Sequence, residues 1–368
     1  MADAKDMLNL AARLALRAMG DAEPNPMVGA VIVRDGVVIG LGHHRRFGGL
    51  HAEREALADC RRRGHDPRGT TVFVTLEPCC HHGKQPPCTE ALIEAGVARV
   101  VFARPDPHET SGGGADVLRR AGVECEACEG SALAVRVSDP FVKRVTTGLP
   151  WVIAKWAQTA DGRLVSREGA PRWISCEASR RRVHRIRARV DAVVTGIGTV
   201  LADDPMLTAR GVRVHRVARR VVIDARLETP PGCALVRTAR EVPTTIVTAG
   251  EPPAAARRVM ESAGVELIAV GGSGRVDTHA AMRLLVERFG VTTVLLEAGP
   301  RLLASMFEAG LVDAALVHAA PPGPCDTAPL TPDEDRLRRI VGDPGRLTLV
   351  RTRRTGVDVE RWYCAVRS

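Results

Sequence analysis

The feature that most constrains this chain is a set of zinc-ligand residue types between His51 and Cys88. Glu53 follows His51 by two residues, and a Pro-Cys pair places Cys79 before the cysteine at position 88. One imidazole and two thiolates make three ligands for a tetrahedral zinc ion (Zn2+), which leaves a fourth position open for water. An open position is typical of catalytic zinc rather than structural zinc. We therefore predict a catalytic zinc site with His51, Cys79 and Cys88 as its ligands.

Glu53 is the predicted catalytic residue of this site. Zinc lowers the pKa of a bound water to about 7, and Glu53 is not needed as a ligand. It can therefore take a proton from the water and deliver it to the substrate. His-x-Glu followed by Pro-Cys and a second cysteine is the signature of zinc-dependent deaminases. The alternative is a structural zinc site or buried, reduced cysteines, but the only obvious fourth ligand is Cys80, and adjacent cysteines rarely bind one ion together.

Length and composition limit the possible classes of protein. A chain of 368 residues favours two domains. The net charge of +9 suits nucleic acid or phosphorylated small molecules, but an aromatic content of 3% provides few stacking platforms for single strands. Composition therefore disfavours single-stranded nucleic acid as a partner but leaves both classes of ligand open. No apolar run of about 18 residues and no signal peptide are present, so we expect a cytoplasmic protein without membrane association.

Periodicity in the first part of the chain predicts alternating helices and strands, and therefore an α/β/α layered domain over residues 1–145. The predicted helices cover 6–19, 52–63 and 115–121, and the predicted strands cover 28–33, 37–41, 71–76, 97–103 and 123–127. Cys79 is expected to open a helix after the strand that ends at Leu76. Cys88 is then expected after a loop.

The remainder of the chain predicts a second α/β domain, over residues 146–368, with a largely parallel sheet. Its predicted strands cover 151–157, 191–195, 221–224, 244–248, 265–270, 292–297 and 313–319, and its predicted helices cover 175–189, 278–289 and 301–309. Ser175 is a plausible N-cap. Residues 321–346 are expected to be irregular, with one short helix. The segments 196–199 and 298–300 are expected to be glycine loops that approach phosphates, although neither is a dinucleotide fingerprint.

The motifs of the first domain resemble the deaminase half of the bacterial bifunctional riboflavin-biosynthesis deaminase-reductases. They are Asn25-Pro26-x-Val28-Gly29, His44, His51-Ala52-Glu53, Thr75-Leu76-Glu77-Pro78-Cys79, Gly83-Lys84 and Pro86-Pro87-Cys88. Eight residues separate Cys79 from Cys88, as in that family, whereas two usually separate them in cytidine and nucleic-acid deaminases. The resemblance implies a cytidine-deaminase-like fold and a diaminopyrimidinone substrate that carries a ribosylamino 5-phosphate. It also implies substrate contacts from Asn25, His44, His81 and Lys84, each of which has an ordinary explanation when taken alone.

The second domain resembles the reductase half of the same family. The motifs are Lys155-x-Ala157, Asp161-Gly162-Arg163, Trp173-Ile174-Ser175, His184-Arg185-Ile186-Arg187, the run 198–205 with Leu207 and Arg210, and Glu297-Ala298-Gly299-Pro300. The resemblance implies a dihydrofolate-reductase-like fold and reduction of the ribosyl group to a ribityl chain by NADPH. It implies an NADPH site lined by Ala157, Trp173, Ser175, Thr199, Asp203 and Gly299. It implies substrate contacts from Arg187, Leu207, Arg210 and Glu297. The general acid stays open between Lys155 and Asp161, either of which could form a structural salt bridge.

The chain departs from the family pattern in several places. His108-Glu109 stands where the family commonly has Asn-Pro, and the loop there is one residue shorter. Pro171 replaces a serine, and a segment rich in proline and glycine occupies 321–325. These departures keep open a deaminase whose second domain is inactive or retuned to a modified pyrimidine. A basic nucleic-acid-binding module with a structural zinc is a further alternative, although the cysteine spacing argues against it. The family also implies a homo-oligomer.

Overall fold

The computed structural model describes residues 3–83, 85–164, 173–272, 274–321 and 329–366. The predicted contact residue Lys84 and the departure at Pro171 therefore lie outside the described residues. The chain divides into two compact units, Met1–Leu149 and Pro150–Ser368. No helix in the described ranges is long and apolar enough to cross a membrane.

The N-terminal unit is a five-stranded sheet between two layers of helices. Its elements are α1 (Ala4–Ala15), β1 (Gly29–Arg34), β2 (Val37–His43), α2 (Ala52–Arg62), β3 (Thr71–Val74), α3 (Cys88–Glu94), β4 (Arg99–Phe102), α4 (Gly114–Arg120), β5 (Glu124–Ala127), α5 (Ala132–Arg136) and α6 (Asp139–Thr147). The strand order is β2-β1-β3-β4-β5, and β3, β4 and β5 run parallel. On β1, Ile32 packs into the apolar cluster with α2 and α3, whereas Val31 packs into the cluster with α1. Alternate side chains of the strand thus bury both faces of the sheet.

One prediction for this unit is wrong, because Cys79 does not open a helix. It lies in the loop after β3, and the helix begins at Cys88 instead. Two prolines, Pro86 and Pro87, precede that position. A residue before a proline is pushed toward extended conformations, so the helix starts only after the second proline. Both cysteines are nevertheless close in space, because the loop returns the chain to the start of α3.

The C-terminal unit is built on a nine-stranded sheet. Its elements are β6 (Trp151–Gln158), α7 (Glu177–Arg187), β7 (Ala192–Gly196), α8 (Ile197–Asp203), β8 (Arg219–Ile223), α9 (Ala234–Arg237), β9 (Thr244–Thr248), α10 (Ala254–Ser262), β10 (Glu266–Ala269), β11 (Gly271–Gly272), β12 (Arg275–Val276), α11 (Thr278–Phe289), β13 (Thr293–Leu296), α12 (Pro300–Glu308), β14 (Ala314–Ala319), α13 (Pro332–Gly342), β15 (Leu347–Thr355) and β16 (Asp358–Ala365). The strand order is β10-β9-β8-β7-β13-β6-β14-β16-β15. The first seven strands of this order are parallel to one another. The next strand, β16, runs antiparallel to both of its neighbours, β14 and β15.

The hairpin of β15 and β16 extends the sheet beyond the last strand predicted from the sequence. Most residues of β15 are exposed, and six of its nine residues are charged or hydroxylated. An exposed edge strand does not need the alternation of apolar and polar residues that identifies a half-buried strand. The pattern that reveals the other strands is therefore missing here.

Two further local predictions for this unit are wrong. Ser175 is not an N-cap, because α7 begins at Glu177 and its N-cap is Cys176. The Cys176 N–H donates to Asp358 Oδ2 at 2.9 Å, which fixes the helix start one residue later. The segment 196–199 is not a loop, because α8 starts immediately after Gly196. Its residues therefore present a helix N-terminus at the end of β7.

Candidate active sites

Three side chains from three separate segments of the N-terminal unit converge on one point. His51 is the N-cap of α2, Cys88 is the first residue of α3, and Cys79 lies in the loop between β3 and α3. His51 Nδ1 lies 3.5 Å from Cys79 Sγ and 3.4 Å from Cys88 Sγ. Tetrahedral zinc, with bonds of about 2.1 Å to nitrogen and 2.3 Å to sulfur, places such ligand atoms about 3.6 Å apart. The geometry therefore fits a zinc ion, and within the described residues no other group of three ligand side chains has it.

The two thiols have opposite pKa shifts. The hydrogen bond from the Cys88 thiol, together with those from His51 and the Cys88 backbone, lowers the pKa of Cys79 to about 4. The neighbouring Cys79 raises the pKa of Cys88 well above its ordinary value. The metal-free pair thus keeps one proton between the two sulfur atoms. Zinc binds thiolates, so metal binding releases that proton.

Glu53 lies in the first turn of α2, directly beside the three ligands. It is 3% exposed. Burial, and then the charge of Cys79, raise the pKa of its carboxyl group to about 6. A group whose pKa is near the working pH can both accept and release a proton during one reaction. The position and the chemistry of Glu53 therefore suit a proton shuttle.

A cleft of about 280 Å³ opens at the three ligands and at Glu53. Asn25, His44 and His81 line it, which are three of the four predicted substrate contacts. His44 Nδ1 donates to the Leu50 carbonyl at 2.9 Å, so His44 Nε2 can accept the 3.2 Å hydrogen bond from Asn25 Nδ2. Burial lowers the pKa of His44, which keeps the ring neutral in this arrangement. His81 Nδ1 is buried without a partner among the described residues.

The loop that departs from the family pattern forms another wall of the cleft, through Asp106, His108 and Ser111. It is closed by its own side chains, because Asp106 Oδ2 accepts a 2.6 Å hydrogen bond from Ser111 Oγ. The Glu77 carboxylate accepts from the backbone N–H groups of Asp106 and Ala115, at 3.1 and 2.8 Å. Both acidic groups are therefore engaged within the wall that they build.

Gly114 holds this loop against the zinc loop. A Cβ atom at position 114 would lie 1.8 Å from the carbonyl oxygen of Pro78, the residue before Cys79. No side chain fits there without moving backbone. The preceding Gly113 has φ = 85°, a left-handed conformation that favours glycine.

Two cleft residues, Phe141 and Arg144, come from α6, a helix that is absent from the sequence-based prediction. The signals for this helix are present. Pro140 lies in the first turn and Gly148 follows the last turn with φ = 68°. Proline at the start and glycine just past the end are typical of helix boundaries.

The predicted substrate contacts of the C-terminal unit form a charged cluster. Glu297 accepts two hydrogen bonds from Arg187, at 2.5 Å from Nε and 2.9 Å from Nη2, and Lys155 Nζ lies 3.8 Å from the carboxylate. The Glu297 side chain is 11% exposed. Burial alone would raise the pKa of Glu297, but Arg187 and then Lys155 outweigh it and lower that pKa. Burial lowers the pKa of Lys155.

The segment with Leu207 and Arg210 joins this cluster. Arg187 Nη1 donates to the Thr208 carbonyl at 3.2 Å, and the Arg210 N–H donates to His184 Nδ1 at 3.3 Å. Leu207 is buried and has φ = 52°, which is unusual for leucine. The structure thus brings all four predicted reductase contacts, Arg187, Leu207, Arg210 and Glu297, to one place.

Arg220 supports this segment from the core. It is fully buried, and one of its bonds goes to the Met206 carbonyl, at 3.4 Å, directly before Leu207. Its remaining partners are carbonyl and hydroxyl oxygens of Leu235, Thr238, Val242 and Thr244. Burial lowers the pKa of this guanidinium to about 10.

The residues predicted for NADPH are only partly brought together. The Gly299 N–H donates to Thr199 Oγ1 at 3.1 Å, which joins the start of α12 to the first turn of α8. Ala157 lies near the end of β6, and β6, β13 and β7 are parallel neighbours. The carboxyl ends of such strands are where parallel sheets bind cofactors. In contrast, Ser175 and Asp203 form no hydrogen bond to this pair within the described part of the chain, and Trp173 is 55% exposed beside Arg180.

Asp161 is the less suitable of the two candidate acids. Thr159 Oγ1 donates to it, and Arg163 Nε donates to its other oxygen at 2.9 Å. These bonds, that of Thr159 first, lower the pKa of Asp161 and favour its ionised form. Lys155 is the candidate that lies within the charged cluster.

A zinc-ligand set with a buried carboxylate, followed by a parallel α/β unit with a charged cluster at its strand ends, defines a two-domain deaminase-reductase. Residues 1–104 match the family model of the cytidine and deoxycytidylate deaminase zinc-binding region, and residues 150–359 match that of the RibD C-terminal domain. The chain belongs to the RibD family of bifunctional deaminase-reductases in riboflavin biosynthesis. The cofactors of this family are zinc and NADPH.

Similar proteins cover nearly all of the chain. The riboflavin biosynthesis protein RibD of Aquifex aeolicus is 36% identical over 318 residues, which are 86% of each chain. The Escherichia coli RibD is 36% identical over 326 residues, 84% of this chain and 86% of the other. A Thermotoga maritima structure, with 30% identity and a TM-score of 0.81, covers 99% of each chain. The predicted family, fold class and pair of enzymatic activities are confirmed.

Proposed function

We propose that this enzyme deaminates 2,5-diamino-6-(5-phosphoribosylamino)pyrimidin-4-one and then reduces the ribosyl group of the product to ribityl with NADPH. The solved Thermotoga maritima relative is described as a diaminohydroxyphosphoribosylaminopyrimidine deaminase and 5-amino-6-(5-phosphoribosylamino)uracil reductase. The observation that carries the proposal is the meeting of His51, Cys79 and Cys88 beside the buried Glu53.

In the deaminase site, His51, Cys79 and Cys88 hold zinc, which when bound supplies Lewis-acid activation of the attacking water. Glu53 takes a proton from that water and passes it to the ring nitrogen. It then takes the remaining proton from the hydroxyl group added to the ring carbon and passes it to the departing amine, which leaves as ammonia. The raised pKa of Glu53 supports this double role.

Four residues contact the pyrimidine substrate in this proposal: Asn25, His44, His81 and Lys84. Asn25 uses its amide N–H on His44, so its carbonyl oxygen stays available to accept from a substrate amine. His81 Nδ1 is buried and no described residue bonds it, which supports a polar contact to the substrate.

In the reductase site, NADPH supplies a hydride when bound, and Ala157, Trp173, Ser175, Thr199, Asp203 and Gly299 line its site. Arg187, Leu207, Arg210 and Glu297 contact the substrate. Glu297 keeps Arg187 oriented through two hydrogen bonds. Lys155 donates the proton that accompanies hydride addition at C1 of the opened ribose, because its burial favours release of a proton. We further infer that the protein is cytoplasmic, forms a homo-oligomer and works without nucleic acid. Its deaminase domain would cover residues 1–145 and its reductase domain residues 146–368.

The test is an assay that follows ammonia release and NADPH absorbance together on the purified protein with the diaminopyrimidinone substrate. We expect both signals, with loss of NADPH dependent on prior deamination. The second activity would be contradicted if ammonia were released but NADPH were not oxidised, even when the deaminated product is added directly. Absence of ammonia from zinc-loaded protein would contradict the first.

A further inference from the structure

Arg144 is a cation in the deaminase cleft that the zinc chemistry does not use. It lies on α6 and lines the cleft together with Asn25 and Glu53. Its Nη2 donates to the carbonyl of Pro24 at 3.1 Å, which points the guanidinium toward the loop that carries Asn25. Its Nε is buried and has no hydrogen-bond partner in the described ranges.

Arg144 also has no carboxylate partner among the described residues. This contrasts with Arg104, whose Nη1 forms a 2.8 Å ion pair with Asp139 at the start of the same helix. Burial without a counter-ion lowers the pKa of Arg144. A partly desolvated guanidinium without an anion is costly, and an anion that enters the cleft would reduce that cost.

The acidic residues of the cleft do not serve as the counter-ion of Arg144. Glu77 accepts two backbone N–H bonds, and Asp106 accepts from Ser111 and from the His108 backbone. Glu53 lies with the zinc ligands. The negative groups in the walls are therefore already satisfied, which leaves the positive end of Arg144 available to a ligand.

We propose that Arg144 binds the 5-phosphate of the substrate in the deaminase cleft. This inference rests on the proposed deaminase function, since it names the group that recognises the anionic end of that substrate. A guanidinium can donate two parallel hydrogen bonds to a phosphate, whereas an ammonium acts as a point charge. Arg144 is therefore a binding residue that selects the phosphorylated substrate over its nucleoside.

The experiment compares wild type, Arg144→Gln and Arg144→Lys on the phosphorylated substrate and on the same compound without its phosphate. We expect Arg144→Gln to raise KM for the phosphorylated substrate about ten- to a hundredfold, with little change in kcat, and to leave the nucleoside unaffected. Arg144→Lys should lie between the two. The control is Arg136→Gln, an exposed arginine of α5, which removes the same charge and should behave as wild type.

Two kinetic outcomes would overturn the proposal: an unchanged KM in Arg144→Gln, or equal losses on both substrates, which would assign Arg144 to the shape of the Pro24 loop. Zinc content of each variant checks that the site is assembled. Calorimetric binding of ribose 5-phosphate, measured in protein that also carries Arg210→Ala to weaken binding at the reductase site, tests Arg144 without any chemistry. Loss of that binding in Arg144→Gln supports the anion site even if wild type released no ammonia, whereas retained binding contradicts it.

Discussion

Glu53 in the N-terminal unit and Glu297 in the C-terminal unit are both largely removed from solvent, yet their pKa values move in opposite directions. Glu53 lies beside thiols that become negative, so burial and charge both raise its pKa, to about 6. Glu297 lies between Arg187 and Lys155, which outweigh burial and lower its pKa. The same residue type is thus suited to carry protons in one site and to remain an anion in the other.

The comparison shows that neighbouring charge, more than burial, decides what a buried carboxylate can do. A carboxylate that must move protons needs a pKa near the working pH. One that must orient two cations needs to stay ionised at every working pH. Exchanging these environments would abolish both functions, although neither side chain would change.

The largest expected effect is that of Glu53→Gln on deamination. Without a group that accepts the proton, ammonia release should fall by about two to four orders of magnitude. Zinc content, measured by elemental analysis, should stay at the wild-type level, because Glu53 is not a ligand. The matched control is Glu55→Gln on the same helix, whose carboxylate pairs with Arg45. Full activity of Glu53→Gln would refute the proton-carrier role.

A smaller loss is expected from Glu297→Gln, this time in the reductase. A neutral amide cannot hold Arg187 in two charge-assisted bonds, so NADPH oxidation with the deaminated substrate should fall about a hundredfold. Ammonia release should remain at the wild-type rate. If deamination fell in parallel, the two carboxylates would not serve separate sites. Thermal unfolding of the variant separates this loss from unfolding of the whole domain.

Arg210→Ala should raise the reductase KM by about tenfold, with a smaller change in kcat. Its side chain is exposed and donates a hydrogen bond to Thr208 Oγ1 at 3.1 Å. Its removal should therefore change the stability of the substrate-free domain only slightly. Arg213→Ala removes an exposed arginine three residues further on and is the control. Equal KM values for both variants would remove Arg210 from the substrate site.

The smallest expected effect is that of Glu360→Gln on the free energy of unfolding. Glu360 is a further buried carboxylate, so it extends the comparison from activity to stability. Burial opposes its ionised form, but His318, Arg353 and Arg182 lower its pKa to about 2 from an ordinary value of 4.5. A lowered folded pKa stabilises the fold above about pH 4.5, and this contribution disappears as the pH falls toward 2. In urea unfolding, Glu360→Gln should therefore destabilise the protein at pH 7 and less so at pH 3.5. A pH-independent difference would contradict the pairing.

The zinc site could be predicted from sequence because its parts are local and their chemistry is restrictive. His51 and Glu53 lie within one helical turn, so their spacing alone brings them together. Next to a histidine and a glutamate in this spacing, the cysteines at positions 79 and 88 are best explained as metal ligands. Arg144 was missed because it lies 91 positions after Glu53, on a helix whose boundary signals were present but not used.

The reductase cluster shows the opposite case. Arg187 and Glu297 are 110 positions apart, and no pattern within either segment indicates that they pair. Only the family resemblance named both. The sequence predicts a cap at Ser175 because serine is a common N-cap, whereas a contact from the distant Asp358 places the cap at Cys176. Tertiary contacts of this kind override local preference.

The contact between Gly114 and Pro78 has a consequence for efforts to redesign this enzyme. Libraries that aim at new pyrimidine substrates would naturally randomise the wall from Asp106 to Gly113. Position 114 has to be held fixed in such a library, since any side chain there would displace the peptide that precedes Cys79. Within the wall, Gly112 and Gly113 also have to stay glycine, because a Cβ atom at position 112 would lie 2.6 Å from the Asp106 carbonyl oxygen and Gly113 has φ = 85°. The run of three glycines thus marks where changes of specificity end and damage to the catalyst begins.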